Sequence, residues 1–191
     1  MKKIIIGLCF LFALNVFADS VISSGDVYIN GKKVTKNSVV KLGDFIKTGK
    51  NSKVKFNIGK DAFLANADTK FSIEEKGGLK TLNVVTGGVL AVFGKGGEKH
   101  EVKTENMTAG IRGTGVYVEH IDGKSYFCTC YGETELKTAK AHKFYKASHH
   151  KMEWVLADGS IKHAKKLRGH DDDELRELEA MVGRIPPFDK K

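Results

Sequence analysis

Thr104-Glu-Asn-Met-Thr-Ala-Gly-Ile-Arg-Gly-Thr-Gly-Val-Tyr-Val-Glu119, a turn at Asp122-Gly123, and then Tyr126-Phe-Cys-Thr-Cys-Tyr-Gly-Glu-Thr-Glu-Leu136 is the stretch that decides the fold. Asp-Gly between two apolar, β-prone runs is a strong short-range signal for a hairpin, because both turn positions take positive φ. Side chains alternate between faces along a strand, so Val116 and Val118 point one way, Tyr117 and Glu119 the other. Gly110, Gly113 and Gly115 punctuate the start of the first strand, as close backbone approach or positive φ would require. Arg112, set among them, reads as a solvated side chain on a glycine-kinked strand rather than one fixed by backbone carbonyls.

Ile111-Arg112-Gly113-Thr114-Gly115-Val116-Tyr117-Val118 resembles the signature near the end of the FecR domain, a periplasmic module named for ferric-citrate regulation. Ser24-Gly25-Asp26-Val27-Tyr28-Ile29-Asn30-Gly31 resembles that family's opening strand. Leu42-Gly43-Asp44-Phe45-Ile46-Lys47-Thr48-Gly49 resembles its G-D-x-I-x-T-G turn, and Val85-Thr86-Gly87-Gly88-Val89 a later strand. In the family's order and spacing, the four segments cover residues 21–138. The resemblance implies a periplasmic all-β binding, scaffold or sensory module of the bacterial envelope. The family's regulator carries a cytoplasmic anti-sigma segment and a membrane helix ahead of that module. Here an export signal stands in their place, so direct signalling across the membrane to a sigma factor is not expected.

That signal is residues 1–18. Lys2 and Lys3 precede an apolar run over 4–17, and Val16-Phe17-Ala18 is a small-residue cleavage site. The run falls short of the ~20 apolar residues a membrane-crossing helix needs. Cleavage after Ala18 removes Cys9 and leaves a length suited to one domain with a real core. No second apolar run approaches spanning length, so a periplasmic or secreted product without a transmembrane span is expected. The chain carries a formal net charge of +9. Export takes nucleic acid away as a partner, and lysines on a β-protein protect sheet edges and maintain solubility. An envelope protein or glycan is the expected partner, with long-range attraction to anionic envelope components as a further contribution.

From residue 21 onward the pattern is strand after strand. Asn30-Gly31 makes a hairpin turn, and Val54, Phe56 and Ile58 alternate with Lys53, Lys55 and Asn57. The stretches 79–85 and 89–93 flank Gly87-Gly88. Gly25-Asp-Val27, Gly87-Gly-Val89 and Gly132-Glu-Thr134 echo one another at unequal spacing, which excludes a fixed-period solenoid. Many short strands with turns every ~8–12 residues predict an all-β antiparallel sandwich or roll. Residues 19–138 form the FecR-like β domain of this reading, and 139–191 an extension packed on it. In that extension 137–151 is Lys-, Ala- and His-rich and reads as weakly helical or irregular. A hairpin follows around Asp158-Gly159, with Trp154 as a core anchor. One short helix closes the chain. Asp171 is its N-cap with Glu174 completing a capping box, Leu175, Leu178, Met181 and Val182 form its apolar face, and Gly183 with Pro186-Pro187 ends it. A helix of ~12 residues is marginal alone, so this face should dock on the β-core.

Chemistry points to Cys128-Thr129-Cys130, the cysteines left after processing. Residues two apart on a strand share a face, so both sulfurs point together with Tyr126, and Phe127 and Tyr131 take the other face. Ideal strand spacing puts the two Cα atoms ~6.5 Å apart, at the outer limit for a disulfide. Three readings stand: a disulfide in an oxidising compartment, a metal-binding pair, or two small buried residues. His120, His142, His149, His150, His163 and His170 crowd the same part of the chain. Two thiolates with two imidazoles make a tetrahedral zinc or copper site, with Cys128, Cys130, His149, His150, His163 and His170 as candidate ligands. The competing reading leaves His149-His150 in a polar loop. His170, immediately before the helix cap, would be kept neutral by the helix dipole and so stay a competent ligand. No Ser-His-Asp order, paired carboxylates or phosphate loop stands out, and no enzymatic activity is expected. The chain therefore reads as an exported non-enzymatic binding or scaffold module, with a metal- or thiol-site protein as the alternative.

Overall fold

The computed structural model describes residues 21–190; the expected leader, with Cys9, lies outside the described residues. The strands are β1 (Ile22–Ser24), β2 (Val27–Ile29), β3 (Lys32–Lys33), β4 (Phe45–Thr48), β5 (Lys53–Ile58), β6 (Asp61–Ala65) and β7 (Lys70–Lys76). They continue as β8 (Leu79–Val92), β9 (Lys99–Lys103), β10 (Thr108–Ile121), β11 (Lys124–Lys137), β12 (His142–Ala147), β13 (Lys151–Val155) and β14 (Ile161–His163). One helix, α1 (Asp172–Met181), and a 3-10 turn at Pro187–Asp189 follow. The fold is all-β, as expected. All the strands belong to one hydrogen-bonded sheet, and the last three extend it by pairing on β11 and on each other. Among the described residues no helix is long and apolar enough to cross a membrane.

The Asp122-Gly123 turn joins β10 and β11, with φ of 49° and 68° at its two positions, and Asn30-Gly31 repeats the device at 50° and 78°. Three features differ from the sequence reading. Residues 79–85 and 89–93 are not two strands but one 14-residue strand, β8. Gly87, at φ 78°, lies within this strand without reversing it, and glycine is needed there because a Cβ would overlap Thr69. Its first half pairs with β7 and, in parallel, with β9; its second half pairs with β6 and β10. The sheet is therefore not purely antiparallel. The run 137–151 is also not helical: His142–Ala147 is strand β12, paired from Gly132↔Ala147 to Lys137↔His142. The far half of β11 offers an open edge, and pairing to it outweighs the weak helix propensity of Lys and Ala.

Alternation along the central strands feeds two cores. Phe56, Phe63, Phe71, Val89, Ala91, Val116, Val118 and Phe127 fill the interior of the rolled sheet. Leu64, Leu90, Tyr117, Tyr126, Cys128 and Cys130 point out of the roll and would face water, but they are buried in one cluster with Leu175 and Leu178 of α1 and Ala164, against which Met152 and Trp154 pack. Strands buried on both faces read as continuous apolar runs, as β6 and the end of β8 do. The helix begins as its sequence demands, with Asp171 and Glu174 completing the capping box, and Gly183 past its end takes φ 70°. Lys53 and Lys55 of β5 pair with Glu174 and Glu177 across the helix–sheet junction.

Tyr117 is the pivot of this second core. Its ring is wedged between Gly88 and Gly169, and a Cβ on either would overlap its hydroxyl. Asn66 donates to that hydroxyl and, at 2.6 Å, to the Gly169 carbonyl, so the segment leading into α1 is pinned to the sheet. Gly169 also takes φ 68°, where a side chain is strained. Gly169→Ala is expected to cost about 1–3 kcal/mol in denaturant unfolding through steric overlap and backbone strain together. An unchanged unfolding midpoint would contradict this placement of Tyr117.

Candidate metal centre

The site begins with a register break. Along the β10–β11 pair Val116 faces Thr129 and Gly115 faces Tyr131, so Cys130 is the extra residue of a bulge. The bulge turns Tyr131 onto the same side as Cys128 and Cys130, rather than beside Phe127 on the opposite face as strict alternation requires. Gly115 leaves room for the Tyr131 ring. With the strand kinked here, the two sulfurs lie 3.8 Å apart, both buried. They are free thiols, well beyond the ~2.05 Å of a disulfide.

Two histidines complete the group. His150 sits in the β12–β13 turn at φ 38°, and its backbone N–H donates to the Cys130 carbonyl at 2.9 Å. Its Nδ1 lies 3.4 Å from Cys128 Sγ. His170, immediately ahead of the helix cap, places Nε2 3.3 Å from Cys130 Sγ, and its ring stacks on Tyr117 with centroids 4.6 Å apart. The four donor atoms all lie within 4.8 Å of one another. Tetrahedral zinc, with bonds of ~2.3 Å to sulfur and ~2.0–2.1 Å to nitrogen, spans edges of ~3.8 Å between sulfurs and ~3.6 Å between sulfur and nitrogen. The observed 3.8, 3.4 and 3.3 Å follow those edges closely.

The outer nitrogens of both rings are already engaged. A carbonyl can only accept, so His170 Nδ1–H donates to the Arg168 carbonyl at 2.8 Å and leaves a lone pair on Nε2. His150 Nε2–H donates to Asp172 Oδ1 at 2.9 Å, which leaves Nδ1 free to face Cys128. Such outer partners fix tautomer and ring orientation in metal sites. Burial alone would raise the Asp172 carboxyl, but hydrogen bonds from His149 and His150 outweigh it and hold it below the usual carboxylate range. Burial likewise works against a charged His150, and its bonds to Cys128 and Asp172 overcome that and raise it. Burial opposes a Cys128 thiolate too, yet the Cys130 thiol and the two imidazoles draw Cys128 well below an ordinary thiol, while Cys130 is pushed up by burial and by its neighbour.

Of the candidate ligands, the fold brings Cys128, Cys130, His150 and His170 together. His149 is half-exposed and faces Asp172 at 2.9 and 3.0 Å, outside the four-donor group. His163 is exposed on edge strand β14, opposite Glu153, and belongs to no such group. His142 meets Glu135 on the surface, and His120 faces Ser125. The remaining histidine, His100, is buried against Asp61, which also accepts from Gly94 N–H and Lys80. That carboxylate is fully satisfied within the fold. Asp172 is the residue whose part at the centre sequence reasoning missed, since its spacing in the helix signals only a favourable N-terminal charge.

No protein-family profile and no curated protein matches this sequence. Among the solved structures that match the fold are two crystal structures of a "putative anti-sigma factor" from Parabacteroides distasonis, at 2.50 and 1.65 Å resolution. Each is 12% identical, with TM-scores of 0.55 and 0.56, and they cover 63% and 71% of this chain. The chain in turn spans 58% and 64% of theirs. At this identity the likeness is one of fold.

Because the folded-state pKa of Asp172 is depressed, the stability it contributes is present above the ordinary carboxylate pKa and is lost as pH falls through the folded value. Asp172→Asn should therefore lower the unfolding midpoint at pH 6, and the gap from the unsubstituted protein should narrow as pH falls below the ordinary carboxylate range. A gap that stays constant over this range would contradict the ionised Asp172–histidine contacts.

Proposed function

We propose that this chain is an exported, non-enzymatic FecR-like module of the bacterial cell envelope. In this reading its C-terminal hairpin and helix are clamped to the sheet by one zinc ion held by Cys128, Cys130, His150 and His170. The observation that carries the clamp is the group of four donors within 4.8 Å of one another, its S–S edge and two S–N edges matching those of a zinc tetrahedron, with both outward ring N–H groups already bound. Four protein donors, two of them buried thiols, make a closed site, and closed zinc sites are structural whereas catalytic ones keep a position open. A tetrahedral set of two sulfurs and two nitrogens favours zinc over copper in its divalent state, which prefers tetragonal geometry. The ligands come from β11, the β12–β13 turn and the residue before the α1 cap, so one ion would tie together three separate segments of the chain.

The envelope role rests on different support: the signal-like first eighteen residues, the four FecR-like segments and a fold shared with the Parabacteroides anti-sigma structures. A sheet with free edges suits partners that add a strand, and an envelope protein or glycan is the proposed partner. Purification from the periplasmic fraction followed by elemental analysis tests both parts. The expected result is one zinc per chain, lost in Cys128→Ser, and a product beginning after Ala18. Chelation should lower Tm by more than about 10 °C, roughly 3–5 kcal/mol for a domain of this size. A cytosolic, zinc-free protein indifferent to chelators would overturn the reading.

A further inference from the structure

We propose that His149, Asp172 and the outer nitrogen of His150 form a second, solvent-facing site for a divalent transition-metal ion, joined to the inner one through the His150 ring. This rests on the inner zinc site proposed above. The inner site uses only Nδ1 of His150. Its Nε2 lies 2.9 Å from Asp172 Oδ1, and His149 Nε2 lies 2.9 and 3.0 Å from the two oxygens of the same carboxylate. The three donors lie within 4.8 Å of one another. Consecutive residues in an extended chain point to opposite sides. Here both rings converge on one carboxylate, with centroids 4.3 Å apart, because His150 takes φ 38°. His149 plays no part in the inner group, and Phe188 packs against its ring at 4.8 Å to hold it in this orientation.

The surroundings suit an exchangeable ion. His149 and Asp172 line an open cleft of about 690 Å³ shared with Ser148, Phe188 and Asp189, so water can complete the coordination. Two imidazoles and a carboxylate favour zinc, copper(II) or nickel over calcium and magnesium, which prefer oxygen. On binding, the ion takes the place of the His150 Nε2 proton, which leaves to solvent, while the proton that His149 Nε2 shares with Asp172 moves to His149 Nδ1; the His150 ring then bridges the two metals with one nitrogen on each. The inner site keeps its four donors. The closed site would hold the fold while the open one responds to metal in the surrounding medium.

The test titrates copper(II) into the full chain carrying its one zinc, read by calorimetry, by electron paramagnetic resonance and by assay of released zinc. The expected result is one copper per chain with nitrogen hyperfine coupling, zinc retained, and binding weakened at least tenfold in His149→Ala. Copper uptake equal in His149→Ala, or matched by an equal release of zinc, would overturn the second site. Failure of the inner reading is distinguishable: the purified protein would then hold no zinc before any copper is added.

Discussion

The extra residue at Cys130 is the constraint on which the rest of the site depends. A regular strand would hold the two sulfurs at the spacing of an ideal pleat and send Tyr131 to the far face. The bulge instead brings both thiols and Tyr131 to the face that α1 covers, with the sulfurs 3.8 Å apart. From the same point the Cys130 carbonyl accepts from His150 N–H, so the kink that sets the sulfurs also anchors the turn that carries the imidazole. Gly115, facing Tyr131, and Gly132, at φ 89°, are the small residues that let this crowded stretch close.

The site lies where two marginal elements need help. A helix of ten residues is weak in isolation, and the β13–β14 hairpin is short. Apolar contacts of Leu175 and Leu178, the Lys53–Glu174 and Lys55–Glu177 pairs and the wedged Tyr117 hold α1 against the sheet. Surface ion pairs contribute little, about 0–1 kcal/mol each, so burial and the proposed clamp carry the stabilisation. An ion bound only by the folded chain would add its binding free energy to folding. In an oxidising compartment, bound metal would also occupy thiolates that otherwise are open to oxidation.

What the sequence disclosed was local. The Asp122-Gly123 and Asn30-Gly31 hairpins, the capping box at Asp171 and Glu174, and the stop at Gly183 each rest on a few adjacent residues with one satisfactory backbone solution. The shared face of Cys128 and Cys130 with Tyr126 was legible for the same reason, and the break in alternation at Tyr131 was not, because the bulge depends on how β10 pairs across the sheet. Strand β12 was not legible because it is held by pairing with the far half of β11 rather than by its own propensity. That one strand runs through Gly87-Gly88 was not legible, because a bend within a strand and a break between two strands use the same residue type. Which two of the clustered histidines meet the thiols was settled by long-range packing: His170 is placed by Tyr117 and Arg168, His150 by Asp172 and Cys130.

The central claim is a metal bound by two sulfurs and two nitrogens between sheet and helix. X-ray absorption at the zinc edge of the protein isolated from cells tests it most directly. The account predicts a four-coordinate shell with two sulfurs at ~2.3 Å and two nitrogens at ~2.0 Å. A shell of nitrogen and oxygen alone, with Cys128 and Cys130 joined as a disulfide, would contradict it.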